Sequence, residues 1–164
     1  MKQLLLFSLM MTTICLSCKK DKVQAGENVE FYLLKSYQIV KGKCQIDAAA
    51  SIIQDTPIVK NQDIIEYSKS NYEFTLTENA IKEIKKLADR TPFAVVVDKQ
   101  VIYYGIVKPI YSSSSCAQSI KMNNAVINNK ITMYLGYAGA DSSINDQRNN
   151  PKLLATLRRQ GKLK

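Results

Sequence analysis

The sequence predicts an α+β fold: a mainly antiparallel sheet with one central packed helix and a C-terminal helix. Three observations carry that prediction. Tyr72, Phe74 and Leu76 alternate with polar Glu73 and Thr75, the period of a strand with one buried face. Directly after them, Ala80, Ile81, Ile84, Leu87 and Ala88 recur at helical spacing and form one apolar stripe. Phe93 to Val97 and Val101 to Val107 are then two runs rich in branched and aromatic residues on either side of Asp98-Lys99-Gln100, a hairpin signature.

Taken in order, the chain opens with Lys2, an apolar run from Leu4 to Leu16, then Ser17, Cys18 and the charged Lys19-Lys20-Asp21-Lys22. That is the order of a signal peptide, and the run is shorter than the roughly 20 residues a helix needs to span a bilayer. Cys15-Leu16-Ser17-Cys18 resembles the lipobox of bacterial lipoproteins, although that family has Leu where this chain has Cys15. The resemblance implies that residues 1–17 are removed and that Cys18 carries the lipid, palmitate included. With no Asp directly after the cysteine, it also implies lipid anchoring to the outer membrane of the cell envelope, on its periplasmic or its surface face. An ordinary cleaved signal peptide without lipid is the competing reading.

Residues 18–27 then read as a flexible tether and 28–164 as a single domain. Val29 to Leu34 reads as a strand that Tyr37 to Val40 continues, and the stretch 41–51 as a loop with a helical turn over its alanines. Ile58 and Val59 are extended, and Asn61-Gln62-Asp63 caps a helical turn through Ile64, Ile65 and Tyr67. Thr77 is the N-cap of the central helix, expected to run to about Asp89 before Pro92. Ser119 to Met122 and Lys130 to Tyr137 are weaker strands joined by an Asn-rich turn. Asn150 caps the C-terminal helix, about 151–160, with Pro151 at its first position and Gly161 past its end.

With 23 Lys and Arg against 14 Asp and Glu, the chain carries +9, and six basic residues with no acid follow Asp146. Export separates the chain from cellular nucleic acid, so the opposite charge for this tail is an anionic lipid headgroup, with Arg158, Arg159 and Lys162 as the contacts. The plain reading beside it is a solvated helix end whose arginines complement the dipole. Cys44 and Cys116 are the pair left after Cys18, and an oxidising compartment predicts a disulfide between them; two free buried thiols are the alternative.

Chemistry is harder to place. The chain has no histidine, which removes Ser-His-Asp and Cys-His constellations and, with no Cys-x-x-Cys spacing, leaves no expected metal site or cofactor. Ser112 to Ser115 read as an exposed loop held by the neighbouring Cys116. Tyr103, Tyr104 and Tyr111 are candidates for a binding surface, against the plain alternative that one face of the hairpin packs on the helix.

The segment from Tyr72 to Val107 resembles the first large periplasmic domain of SecD, the accessory subunit of the bacterial protein-export machine. The likeness lies in Phe74-Thr75-Leu76, the helix from Glu78, Ala94-Val95-Val96-Val97-Asp98 and Val101-Ile102 in the same order, with weaker echoes at Val29-Glu30-Phe31 and Gln62-Asp63-Ile64. It covers about residues 28–110. That family has Gly in the hairpin turn, where this chain has Lys99-Gln100. The resemblance implies a fold and a surface for polypeptide, not a motor. The expected function is therefore a non-enzymatic binding or accessory module that contacts an envelope protein or polypeptide. The alternative is a hydrolase of envelope polymer using carboxylates that spacing does not identify.

Overall fold

The computed structural model describes residues 27–164; the expected signal segment, Cys18 and nearly all of the expected tether lie outside them. The described chain is α+β, with an eight-stranded sheet and two α-helices. The strands are β1 (Val29–Ser36), β2 (Ile52–Ile53), β3 (Ile64–Ser68), β4 (Glu73–Leu76), β5 (Pro92–Val97), β6 (Gln100–Val107), β7 (Ile120–Ile127) and β8 (Lys130–Leu135). The helices are α1 (Glu78–Lys85) and α2 (Pro151–Arg159). In space the strands run β2-β1-β5-β6-β7-β8-β4-β3, and every pairing is antiparallel except β6 with β7. Among the described residues no helix is long and apolar enough to cross a membrane.

The sheet curls, so that strands far apart in its order meet. Phe31 on β1 bridges to Val59, just ahead of β3, and its ring stands edge-on to Phe74 of β4 with centroids 5.0 Å apart. Inside the curl lies the larger apolar core, which takes Phe31, Phe74, Phe93, Tyr67 and Met133 from the strands, Ala80, Ile81 and Ile84 from α1, and Leu153 and Leu157 from α2. The opposite face carries a smaller cluster of Leu34, Ile46, Ala94, Val96, Ile106 and Cys116. Neither α1 nor α2 contributes to it; the disulfide between Cys44 and Cys116, Cα atoms 5.5 Å apart, draws two loops across it instead.

Several local expectations hold. Thr77 accepts from the Ala80 N–H and Asn150 from the Lys152 N–H, so both helices start at the expected caps. Asp47 caps a 3-10 turn over Ala48–Ala50.

Others are corrected. Asn61–Asp63 does form a 3-10 turn, but Ile64, Ile65 and Tyr67 leave it for strand β3, where pairing with β4 turns Tyr67 into the core. Tyr37 to Val40 do not continue β1, which ends at Ser36; Ile39 makes only a lone bridge to Ile46. Helix α1 stops at Lys85 instead of Asp89: Lys86 and Leu87 donate to Glu83 and Ile84 in tightened i→i+3 bonds, and Arg90, at φ 61°, turns the chain to meet Val107. Strand β7 runs on to Ile127, and β8 stops two residues short of Tyr137.

The hairpin turn is also tighter than the sequence suggests. Val97 pairs with Gln100, leaving a two-residue loop, Asp98-Lys99, with φ 50° and 60°. Both angles positive is the turn that matches the twist of paired strands, adopted here without glycine. Asn128-Asn129 repeat it between β7 and β8.

Candidate functional site

Period-two alternation decides which residues of the central strands reach the face opposite α1 and α2. Ile120 and Met122 of β7 point into the core, so Lys121 between them points the other way, level with Ile106 on β6 and Tyr134 on β8. Val107 is likewise core, and Lys108 just beyond it emerges on the same side as Lys121. Lys108 and Lys121 are only 6% and 5% exposed. Together with Pro109, Ile110, Ser112, Asn123, Tyr134 and Tyr137 they line a cavity of about 290 Å³.

The Tyr137 ring is shared by the two ammonium groups, with Lys108 Nζ at 4.9 Å and Lys121 Nζ at 4.8 Å from its centroid; Lys121 is also 5.8 Å from the centroid of Tyr134. Such cation–π contacts offset part of the desolvation of a buried ammonium. Lys108 also donates to the Ser112 carbonyl. Among the described residues neither lysine forms a salt bridge. Burial, and then the charge of Lys108, hold the Lys121 ammonium below its usual pKa.

Asp89 does not line this cavity but bonds to Ser112, which does: Ser112 Oγ donates to its Oδ2 at 2.6 Å and Ser114 Oγ at 3.0 Å, while its buried Oδ1 has no hydrogen-bond partner among the described residues. Burial would push its carboxyl up, but those two hydrogen bonds and the charge of Lys108 outweigh it and keep it below the usual range. The serine run is thus a loop pinned at both ends, by Lys108 and Asp89 at one and by the Cys116 disulfide at the other. Between the pins, Ile110 and Tyr111 stand 79% and 80% exposed.

The three tyrosines of the expected binding surface do not form one patch. Strand β6 lies between β5 and β7, so it has no free edge, and its neighbouring residues face opposite ways. Tyr103 belongs to the large core, Tyr104 packs beside the smaller cluster, and Tyr111 stands on the serine loop. Burial pushes the Tyr103 phenol well above its ordinary pKa, and among the described residues its hydroxyl has no hydrogen-bond partner. Tyr103→Phe is therefore expected to raise the unfolding free energy by about 1 kcal/mol, because it removes an unsatisfied buried hydroxyl and keeps the ring. A urea titration measures this, and a loss of stability would mean that the hydroxyl is bonded.

The basic tail is largely engaged by its own chain. After α2, residues 162–164 lie alongside β3: Tyr67 N–H donates to the Lys162 carbonyl, and Lys164 N–H to that of Tyr67. Lys162 Nζ donates to the Asn61 carbonyl at 2.6 Å, Arg159 pairs with Glu27 at 2.6 Å, and Lys164 with Glu66. Arg158 has no salt-bridge partner among the described residues. Arg148 is buried against Asp146, donates to the Met133 carbonyl at 2.9 Å and lies 3.6 Å from the centroid of the Tyr72 ring.

Sequence reasoning overlooked Lys108, Lys121, Tyr134 and Tyr137. The one available signal was Lys121 between two core-type residues, Ile120 and Met122, where alternation by itself suggests an ordinary solvated face. The fold and the cavity define an α+β protein with helices on one sheet face and a basic, tyrosine-lined cavity under a disulfide-fastened loop on the other. No family model matches the chain, and no curated protein or solved structure matches it.

Proposed function

We propose that this chain is an envelope lipoprotein, tethered through Cys18, whose domain is a non-enzymatic binding module for a polypeptide or envelope protein. The observation that carries the reading is the Ile110-Tyr111 tip, nearly fully exposed on a loop fastened at both ends beside the cavity. An apolar pair held out on a rigid support is suited to capture, because little conformational entropy remains to be lost when a partner covers it. The SecD-like arrangement belongs to the same proposal and is supported by the strand, helix and hairpin succession of β4, α1, β5 and β6. The expected polypeptide contact moves from the hairpin tyrosines to this loop, since Tyr103 is core.

The test is cross-linking of the full chain in intact envelopes. Ile110→Ser with Tyr111→Ser should cut partner capture several-fold while leaving stability within about 0.5 kcal/mol, as expected for exposed positions. Capture unchanged by this double substitution overturns the reading. So does turnover of peptidoglycan, glycan or peptide that a single acid-to-amide change such as Asp89→Asn abolishes, which is the outcome the hydrolase alternative requires.

A further inference from the structure

The buried lysine pair is unexplained by stability. A strand position flanked by two core residues and 5% exposed is one where an apolar side chain would serve the fold better than an ammonium. A second ammonium sharing the same tyrosine ring raises the cost, and Lys108 and burial, not an acid, are what act on Lys121. Asp89 keeps its charge under the two serine hydroxyls, but that charge is coupled to Lys108 and not to Lys121, and it forms a salt bridge with neither among the described residues. The cavity beside the pair has apolar and aromatic walls in Pro109, Ile110, Tyr134 and Tyr137, and its 290 Å³ is at the small end of ligand sites, which start at about 300 Å³.

From this geometry we infer that the cavity between Lys108 and Lys121 binds the oxyanion of a small organic acid, a carboxylate or a phosphate carried on an apolar or aromatic body. The inference rests on the reading of this face as a binding surface and specifies its ligand chemistry. Lys121 supplies the charge that the fold leaves uncompensated. Lys108, steadied by the Ser112 carbonyl, supplies the second, and Tyr134 and Tyr137 flank the ligand's body. Lysine suits this role because an ammonium is a compact point charge that two neighbours can direct at one oxyanion, without the planar fork of arginine.

Calorimetric titration of the full chain with benzoate, phenyl phosphate and the neutral benzamide tests it. Benzoate or phenyl phosphate should bind, and benzamide about tenfold more weakly or not at all, as expected for a charge-assisted contact. A preference for benzoate assigns the site to carboxylates, and a preference for phenyl phosphate assigns it to phosphates. Lys121→Met should lose about tenfold in affinity while melting at a higher temperature, because a buried charge is gone; Lys121→Gln should lose the same affinity with its polarity retained. Equal binding of benzamide, no binding of either anion, or unaltered affinity in both Lys121 variants overturns the inference. Anion binding that survives while Tyr111→Ser, which lies outside the cavity lining, leaves partner capture untouched would sink the docking reading alone.

Discussion

Replacing Cys44 and Cys116 together by alanine is expected to lower the unfolding free energy by about 4 kcal/mol. The bridge closes a loop across a sequence separation of 72, and the constraint it places on the unfolded chain grows with the logarithm of that length. In the folded protein it also joins the segment before β2 to the serine loop over the smaller apolar cluster, where Cys116 is buried. The main-chain pair between Cys116 and Tyr137, at 2.7 and 2.8 Å, would remain, so the loop should loosen chiefly at its Cys44 side. Equilibrium urea unfolding of the oxidised protein against the double variant measures the difference. A change under about 1 kcal/mol would show that the unfolded chain is already compact without the bridge.

Phe74→Ala should cost about as much, 3 to 5 kcal/mol, by a different mechanism. Phe74 is fully buried on β4, 5.0 Å from Phe31 and 4.3 Å from Tyr67 between ring centroids. Phe31 belongs to β1, which lies at the other side of the sheet order, so this contact helps to hold the curl shut. Truncation would open a cavity bounded by strands from both halves of the sheet, which paired backbones on each side prevent from collapsing. The loss appears as a lower denaturant midpoint at unchanged slope. A cost near 1 kcal/mol would mean that the curl closes around the gap.

The same features separate what is local from what is not. The cap at Thr77, the stripe of α1, the alternation of β4, the β5–β6 hairpin and the Pro151 start of α2 are written in neighbouring residues, because each depends on contacts a few positions away. The pairing of Cys44 with Cys116, seen in the structure, is the one expected from an oxidising compartment and the cysteines left beside Cys18. The fate of Ile64 to Ser68 was not. A single turn capped by Asp63 resembles a helix start until β4 is there to pair with it, and pairing with a partner strand overrides so short a propensity. The end of α1 was misplaced for a related reason, since Arg90 and Asp89 are drawn away by Val107 and the serine loop.

By itself, then, the amino-acid order determined the α+β class, most of the elements and the disulfide, for each follows from short-range periodicity, capping or cysteine parity. Only the tertiary structure decided that β6 is central and Tyr103 core, that the C-terminal residues lie along β3, and that Lys108 and Lys121 share one tyrosine ring in a cavity. The physical reason is that alternation tells a strand's two faces apart but does not say what covers them. At the start of β7, from Ile120 to Met122, both faces are covered, one by the core and the other beside a loop pinned from residues far away in the chain, and that second cover turns an ordinary strand lysine into a buried charge.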